Sequence, residues 1–226
     1  MLTLICWLSV FVSLQSPPSQ IIDGYVNTLS AFPGDSIELF LNSRYPNTYN
    51  LKLYDLSGKE VSVFKLSVFP QSPSQIKPYE NGYGYRLTKK IKVPLLPSGV
   101  YLLENHIPLI IKTRNPQIVV VYTSNTINAY CNAGGKSLYG FNSTEKTNAQ
   151  KVSFLRPLPL PNHSEAFLRW IQKENLSNVG YITDLDLEDY NSIKKASLSL
   201  FQATVNTGLY RLEKISIGLS IPEIMH

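Results

Sequence analysis

The residues best equipped for chemistry fall in one loop and at one strand end. The loop reads Thr123-Ser-Asn-Thr-Ile-Asn-Ala-Tyr-Cys-Asn-Ala-Gly-Gly-Lys-Ser-Leu-Tyr139. Asn125, Thr126, Asn132, Gly134, Gly135, Lys136 and Tyr139 are its candidate pocket residues. The amides, the threonine and the two glycines suit shaping a loop better than reacting. Gly135-Lys136-Ser137 imitates the end of a phosphate-binding loop, but that motif needs a glycine five residues before Gly135 and Tyr130 stands there, which argues against nucleotide binding. Asp184 and Asp186 are paired carboxylates where a strand ends, so they could serve a site or cap a helix. Arg156 could clamp a substrate or make a rim salt bridge, and the second reading is the simpler. Two cysteines, Cys6 and Cys131, are too few for a disulfide scaffold or a cysteine-built zinc site, and three histidines argue against an all-histidine metal centre.

The elements around this loop have the grammar of a β-α-β unit. Gln117-Ile-Val-Val-Val-Tyr122 is a continuous β-branched run, as in a strand buried on both faces. The pattern predicts a helix over Ser164 to Glu174, with Ser164 as N-cap and Ala166, Phe167, Trp170 and Ile171 on one face. Asn178-Val-Gly180 stops the helix, and Tyr181-Ile-Thr183 starts a second strand. Strand, helix, strand implies a parallel sheet, with ligands at the carboxyl ends of its strands. Those ends are Thr123 to Tyr139 and Asp184 to Asp186.

Upstream, short alternating runs predict an antiparallel sandwich with one wet face per sheet over residues 20–113. Ile37, Leu39 and Leu41 form one run. Leu51 and Leu53 form another, ahead of the Asp55–Gly58 turn and then Val61 and Val63. A strand is predicted from Tyr83, Tyr85 and Leu87 through Ile91 and Val93, followed by Val100 to Leu103 and Leu109 to Lys112. The expected fold class is therefore an immunoglobulin-like β-sandwich followed by a partial α/β domain at 114–195, with a parallel sheet of the glutamine-amidotransferase or flavodoxin kind. Residues 1–18 read as a signal peptide without its usual positive leader, the alternative being a buried strand, because the apolar run Leu2 to Leu14 is too short to span a bilayer. A secreted, periplasmic or cell-surface protein is expected, with no membrane span once the signal is removed. The charge of +5 is scattered, which argues against nucleic acid as a partner. Three glycosylation triplets, at Asn142, Asn162 and Asn175, carry little weight.

Four words in order sharpen this reading: the loop itself, Val152-Ser-Phe-Leu-Arg-Pro157, Arg169-Trp170, and Gly180-Tyr-Ile-Thr-Asp-Leu-Asp186. Together they resemble the large (beta) subunit of N,N-dimethylformamidase and its relatives. Ser98-Gly-Val-Tyr-Leu102 and Ile107-Pro-Leu109 extend the resemblance, which covers about Tyr25 to Lys195. It implies an amidohydrolase acting on a small N-substituted amide, with iron held by tyrosines and a glutamate. An oxygen-rich site of that kind suits a Lewis acid that polarises the amide carbonyl. Carried over by motif, Tyr130 and Tyr101 are the metal-ligand candidates, although Tyr101 reads more simply as a core tyrosine on a strand and Tyr130 equally as a structural one. Ile127 replaces an aromatic residue, and Cys131 replaces an asparagine, of the family pattern.

The family's Gly-His-Ser-Glu-Tyr-Trp word, which supplies the glutamate, does not follow Lys195 in the given frame. Phe201 to Gly208 can be encoded so that reading one base earlier yields Pro-Gly-His-Ser-Glu-Tyr-Trp, and Leu212 to Met225 admits a similar reading. The expectation is an out-of-frame tail over residues 196–226 and a truncated chain that binds iron poorly, is inactive and is sparingly soluble. The other reading is a non-enzymatic surface protein whose sandwich binds a partner or glycan. Self-association into a homo-oligomer is left open.

Overall fold

The computed structural model describes residues 21–159, 165–174, 178–188 and 198–201. The leader at residues 1–18, the Ser164 cap, the triplets at Asn162 and Asn175 and the tail beyond Phe201 lie outside the described residues. No described helix is long and apolar enough to cross a membrane.

The fold is mostly β, with few helices. A three-stranded antiparallel sheet orders β1 (Ile21–Val26), β3 (Ser36–Ser43) and β6 (Lys89–Lys92) as β1-β3-β6. A five-stranded sheet contains β2 (Ser30–Ala31), β4 (Asn47–Asp55), β5 (Glu60–Val68), β7 (Gly99–Leu103) and β8 (Ile107–Ile111) in the order β2-β8-β7-β4-β5. A third sheet, wholly parallel, sets β9 (Ile118–Tyr122) between β10 (Val179–Thr183) and β11 (Leu198–Phe201). The helices are a single turn α1 (Pro78–Asn81), α2 (Ser124–Tyr130) and α3 (Glu165–Glu174).

Alternation explains the first two sheets. Ile37, Leu39 and Leu41 of β3 and Leu51 and Leu53 of β4 are fully buried in one shared core. Each such side chain is worth about 1.5–3 kcal/mol of burial. The Asp55–Gly58 turn forms as predicted: Asp55 Oδ1 accepts from the backbone N–H groups of Ser57 and Lys59 at 2.8 and 3.0 Å. The expected wet face per sheet does not hold at β7 and β8. Every residue of both strands is buried, because β10 packs against them on the side away from β1 and β3. The apolar core consequently runs across Arg114, joining Leu53 and Leu103 to Val120, Leu168 and Tyr181.

Two local expectations need correction. Tyr83 to Leu87 is not strand; only Lys89–Lys92 is. Its backbone groups pair with loops and side chains instead: Tyr83 N donates to Leu155 O, Tyr85 N to Tyr25 Oη and Arg86 N to Gln71 Oε1. On α3 the buried face is Leu168 and Ile171, with Trp170 53% exposed and Ala166 exposed. The continuous run Val119–Val121, by contrast, is fully buried at the centre of the parallel sheet, as its composition implies.

Candidate functional site

The loop leaves β9 at Thr123 and folds into α2, the glycine turn and two short 3-10 turns at Gly140–Asn142 and Thr144–Lys146. Its start is fixed by Asp184 at the end of β10. The Asp184 carboxylate accepts from Asn125 N at 2.9 Å and from the Ser124 hydroxyl. A carboxylate suits that place because the first N–H groups of a helix have no partner inside it. Asp184 therefore takes the capping role that was one of its two readings. At the end of β9, the Tyr122 hydroxyl and Thr123 Oγ1 are buried without a hydrogen-bond partner among the described residues. Burial, with the Asp184 charge added, pushes the Tyr122 phenol far up.

Arg156 holds the middle of the loop. Its side chain is fully buried. Its guanidinium donates to Ser153 O and Asn128 O at 2.9 Å, Asn128 Oδ1 at 3.0 Å, Ala133 O at 2.8 Å and Lys136 O at 3.1 Å. It is neither a substrate clamp nor a rim ion pair. The partners are neutral acceptors, mostly backbone, and burial pulls its pKa below the ordinary value while the neighbouring Cys131 and Tyr83 oppose that. Nothing in the sequence distinguishes this arginine from a surface one, since backbone carbonyls are invisible as a pattern.

The glycines act as expected. Gly134 has φ +84°, and a Cβ there would come within 2.7 Å of Tyr79 N in α1. Gly135 has φ +105°, and its carbonyl accepts from Thr144. The Asn132 amide donates to Asn142 O, and Lys136 Nζ donates to Thr147 Oγ1 at 2.8 Å. Asn125 and Thr126 sit on α2, Asn125 exposed and Thr126 half-buried. Asn142 Nδ2, the acceptor atom of the one described glycosylation triplet, donates to Tyr130 O at 2.7 Å.

Tyr130 stacks on Tyr139 with ring centroids 4.2 Å apart and planes 19° from parallel. Phe141, 71% exposed, leans against both rings. The Tyr130 side chain beside it raises the Tyr139 pKa. A phenol hydroxyl can donate to a carbonyl oxygen. Tyr101 lies elsewhere. It is buried in β7, its hydroxyl donates to Pro97 O at 2.9 Å, and burial, then the Asp55 charge, pushes it up to about 12. With Asp55, Lys59, Gln172 and Tyr181 it lines a cleft of about 440 Å³ that excludes Tyr130. No described contact brings the two candidate ligands together.

Asp186 is committed to joining the sheets. It accepts from Lys112 Nζ at 2.7 Å, Ser30 Oγ at 2.7 and 2.9 Å, and the Thr183 N–H and hydroxyl at 2.8 Å. Burial alone would raise its pKa, but the bonds from Lys112, Ser30 and Thr183 outweigh it, and the net shift is downward. Sequence reading missed Lys112 and Ser30 as its partners, which lie far away along the chain.

The donor set decides whether the implied iron fits. Among the described residues no group of three or more His, Cys, Asp or Glu side chains could hold a metal ion. Tyr130 packs on Tyr139 and Phe141, and both aspartates at the strand end accept from structural donors. The described residues do not fit an iron site.

A protein-family model described as N,N-dimethylformamidase beta subunit-like, C-terminal, matches residues 86–208, more than half of the chain. The chain belongs to this family. The match contains the loop, Arg156, α3 and β10 and extends beyond Lys195, through β11, which pairs with β9 in register from Leu198↔Ile118 to Phe201↔Val121. No match was found among curated proteins or among solved structures.

Proposed function

We propose that this protein is a hydrolase of the dimethylformamidase type, cleaving the carbon–nitrogen bond of a small N-substituted amide. The family match across residues 86–208 carries this reading. The loop adds physical support: Tyr130, Tyr139 and Phe141 offer an apolar surface, and a tyrosine hydroxyl is a donor for a neutral amide carbonyl. The proposal includes export by the leader, and an immunoglobulin-like sandwich leading into a flavodoxin-like parallel sheet. Iron dependence follows from the family resemblance alone and is assigned no residues.

A second reading is a non-enzymatic surface protein. It is favoured by one observation: Tyr101, Asp184 and Asp186 are all engaged in structural bonds, leaving Tyr130 and Tyr139 as the candidate reactive groups.

Amine release from N,N-dimethylformamide and N-methylformamide by the purified chain, with and without ferrous iron, separates the two. Release above a Tyr130→Phe control supports the hydrolase. A folded chain that retains no iron and releases no amine supports the second reading.

A further inference from the structure

A groove of about 460 Å³ opens on the first half of the chain, between the end of β5 with the segment after it and the extended stretch before β6. Its walls are stitched together by side chains. Gln71 accepts from Arg86 N at 2.6 Å and donates to Arg86 O at 3.3 Å and Leu41 O at 2.8 Å, while Gln71 N donates to Asn42 Oδ1 at 2.8 Å. Ser74 Oγ closes the far end by donating to Gly84 O at 2.9 Å. The groove is therefore preorganised, and its volume is that of a small-molecule site.

Its lining combines three unlike features. Phe69 is 62% exposed and Leu87 51% exposed, which sets a flat apolar surface at the mouth. Arg86 lines the same groove, and its guanidinium makes no ion pair or hydrogen bond with any described residue. Ser72 and Thr88 complete the lining, the Thr88 hydroxyl being bonded to the Leu41 backbone, and no lining residue is acidic. An unpaired guanidinium recognises a carboxylate through its planar fork. An exposed phenyl ring beside it recognises the face of a second ring.

We propose that this groove binds a small carboxylate carried on a ring. An acidic sugar and an aromatic acid share that chemistry. The site is separate from the Tyr130 loop, so it stands or falls independently of the hydrolase reading.

The test is an amide-resolved NMR titration of the full chain with glucuronate and benzoate, each against its neutral counterpart, glucose and benzamide. At least one acid is expected to give saturable shifts at Ser72, Arg86 and Leu87 and to bind about tenfold or more tightly than its counterpart. Whichever acid binds more tightly names the source. Arg86→Gln, an exposed substitution, should erase the preference, and Arg86→Lys should keep only part of it. Equal binding of acid and neutral counterpart, an unchanged preference in Arg86→Gln, or no saturable shift with either acid overturns the proposal.

Discussion

Asp186 Oδ1 lies 2.7 Å from Lys112 Nζ, with both side chains largely buried. This ion pair ties the end of β10 to the segment leaving β8, and Ser30 of β2 adds its hydroxyl to the same carboxylate. Removing one partner leaves a buried charge uncompensated. Asp186→Ala should cost roughly 3 kcal/mol, measured by denaturant unfolding. A loss below about 0.5 kcal/mol would show the pair to be a surface-type contact.

The same carboxylate sets a pH dependence. Its pKa is lowered in the fold, so its stabilising contribution is complete above the pKa of an unfolded aspartate, about 4, and is lost as pH falls through the folded value. Thermal melts from pH 7 down to pH 3 should show wild type converging on Asp186→Asn as acid is added. A gap that stays constant would assign the acid response to other groups.

Arg156 should tolerate no replacement that abandons its acceptors. Arg156→Met strands the carbonyls of Asn128, Ala133, Lys136 and Ser153, and should cost at least about 3 kcal/mol. Arg156→Lys has only three donors for these groups and should fall between the two. Amide exchange in residues 128–136 should rise in both variants, faster in the methionine form.

Gly134 and Gly34 share a positive φ, +84° and +88°, yet differ in surroundings. A Cβ at Gly34 meets nothing within 4 Å, so Gly34→Ala should cost only the left-handed conformation, about 1 kcal/mol. A Cβ at Gly134 collides with the backbone of Pro78 and Tyr79, so Gly134→Ala should cost clearly more than Gly34→Ala. Equal losses would mean that α1 simply moves aside.

The closeness of Tyr130 to Tyr139 is readable by spectrophotometric titration. Tyr130→Phe removes the group that raises the Tyr139 pKa, so Tyr139 should ionise at lower pH in the variant than in wild type. An unchanged titration would place the two hydroxyls apart.

How much of this was legible beforehand follows from the range of the interactions. Alternation along β3 and β4, the β-branched run of β9 and the turn at Asp55 are local patterns, and the chain folds as they indicate. The loop words also located the family without any contact being known. Tyr83 to Leu87 alternates just as well, but strand formation needs a neighbouring backbone, and Leu155 O, Tyr25 Oη and Gln71 Oε1 took its donors instead. Trp170 fits a helical stripe, yet Leu168 and Ile171 define the face that meets the core.

Residue order alone pointed to β3, β4 and β9, the parallel β-α-β grammar and the glycine-rich loop, because these depend on side-chain periodicity and on backbone freedom within a few positions. Tertiary structure alone decided that Tyr101 bonds to Pro97 O, that Asp184 and Asp186 are bound to Ser124, Ser30 and Lys112, and that Arg156 is the buried centre of the loop. Those assignments rest on hydrogen bonds mostly between groups far apart along the chain, many of them backbone atoms that every residue carries, and so leave no mark in the order of side chains.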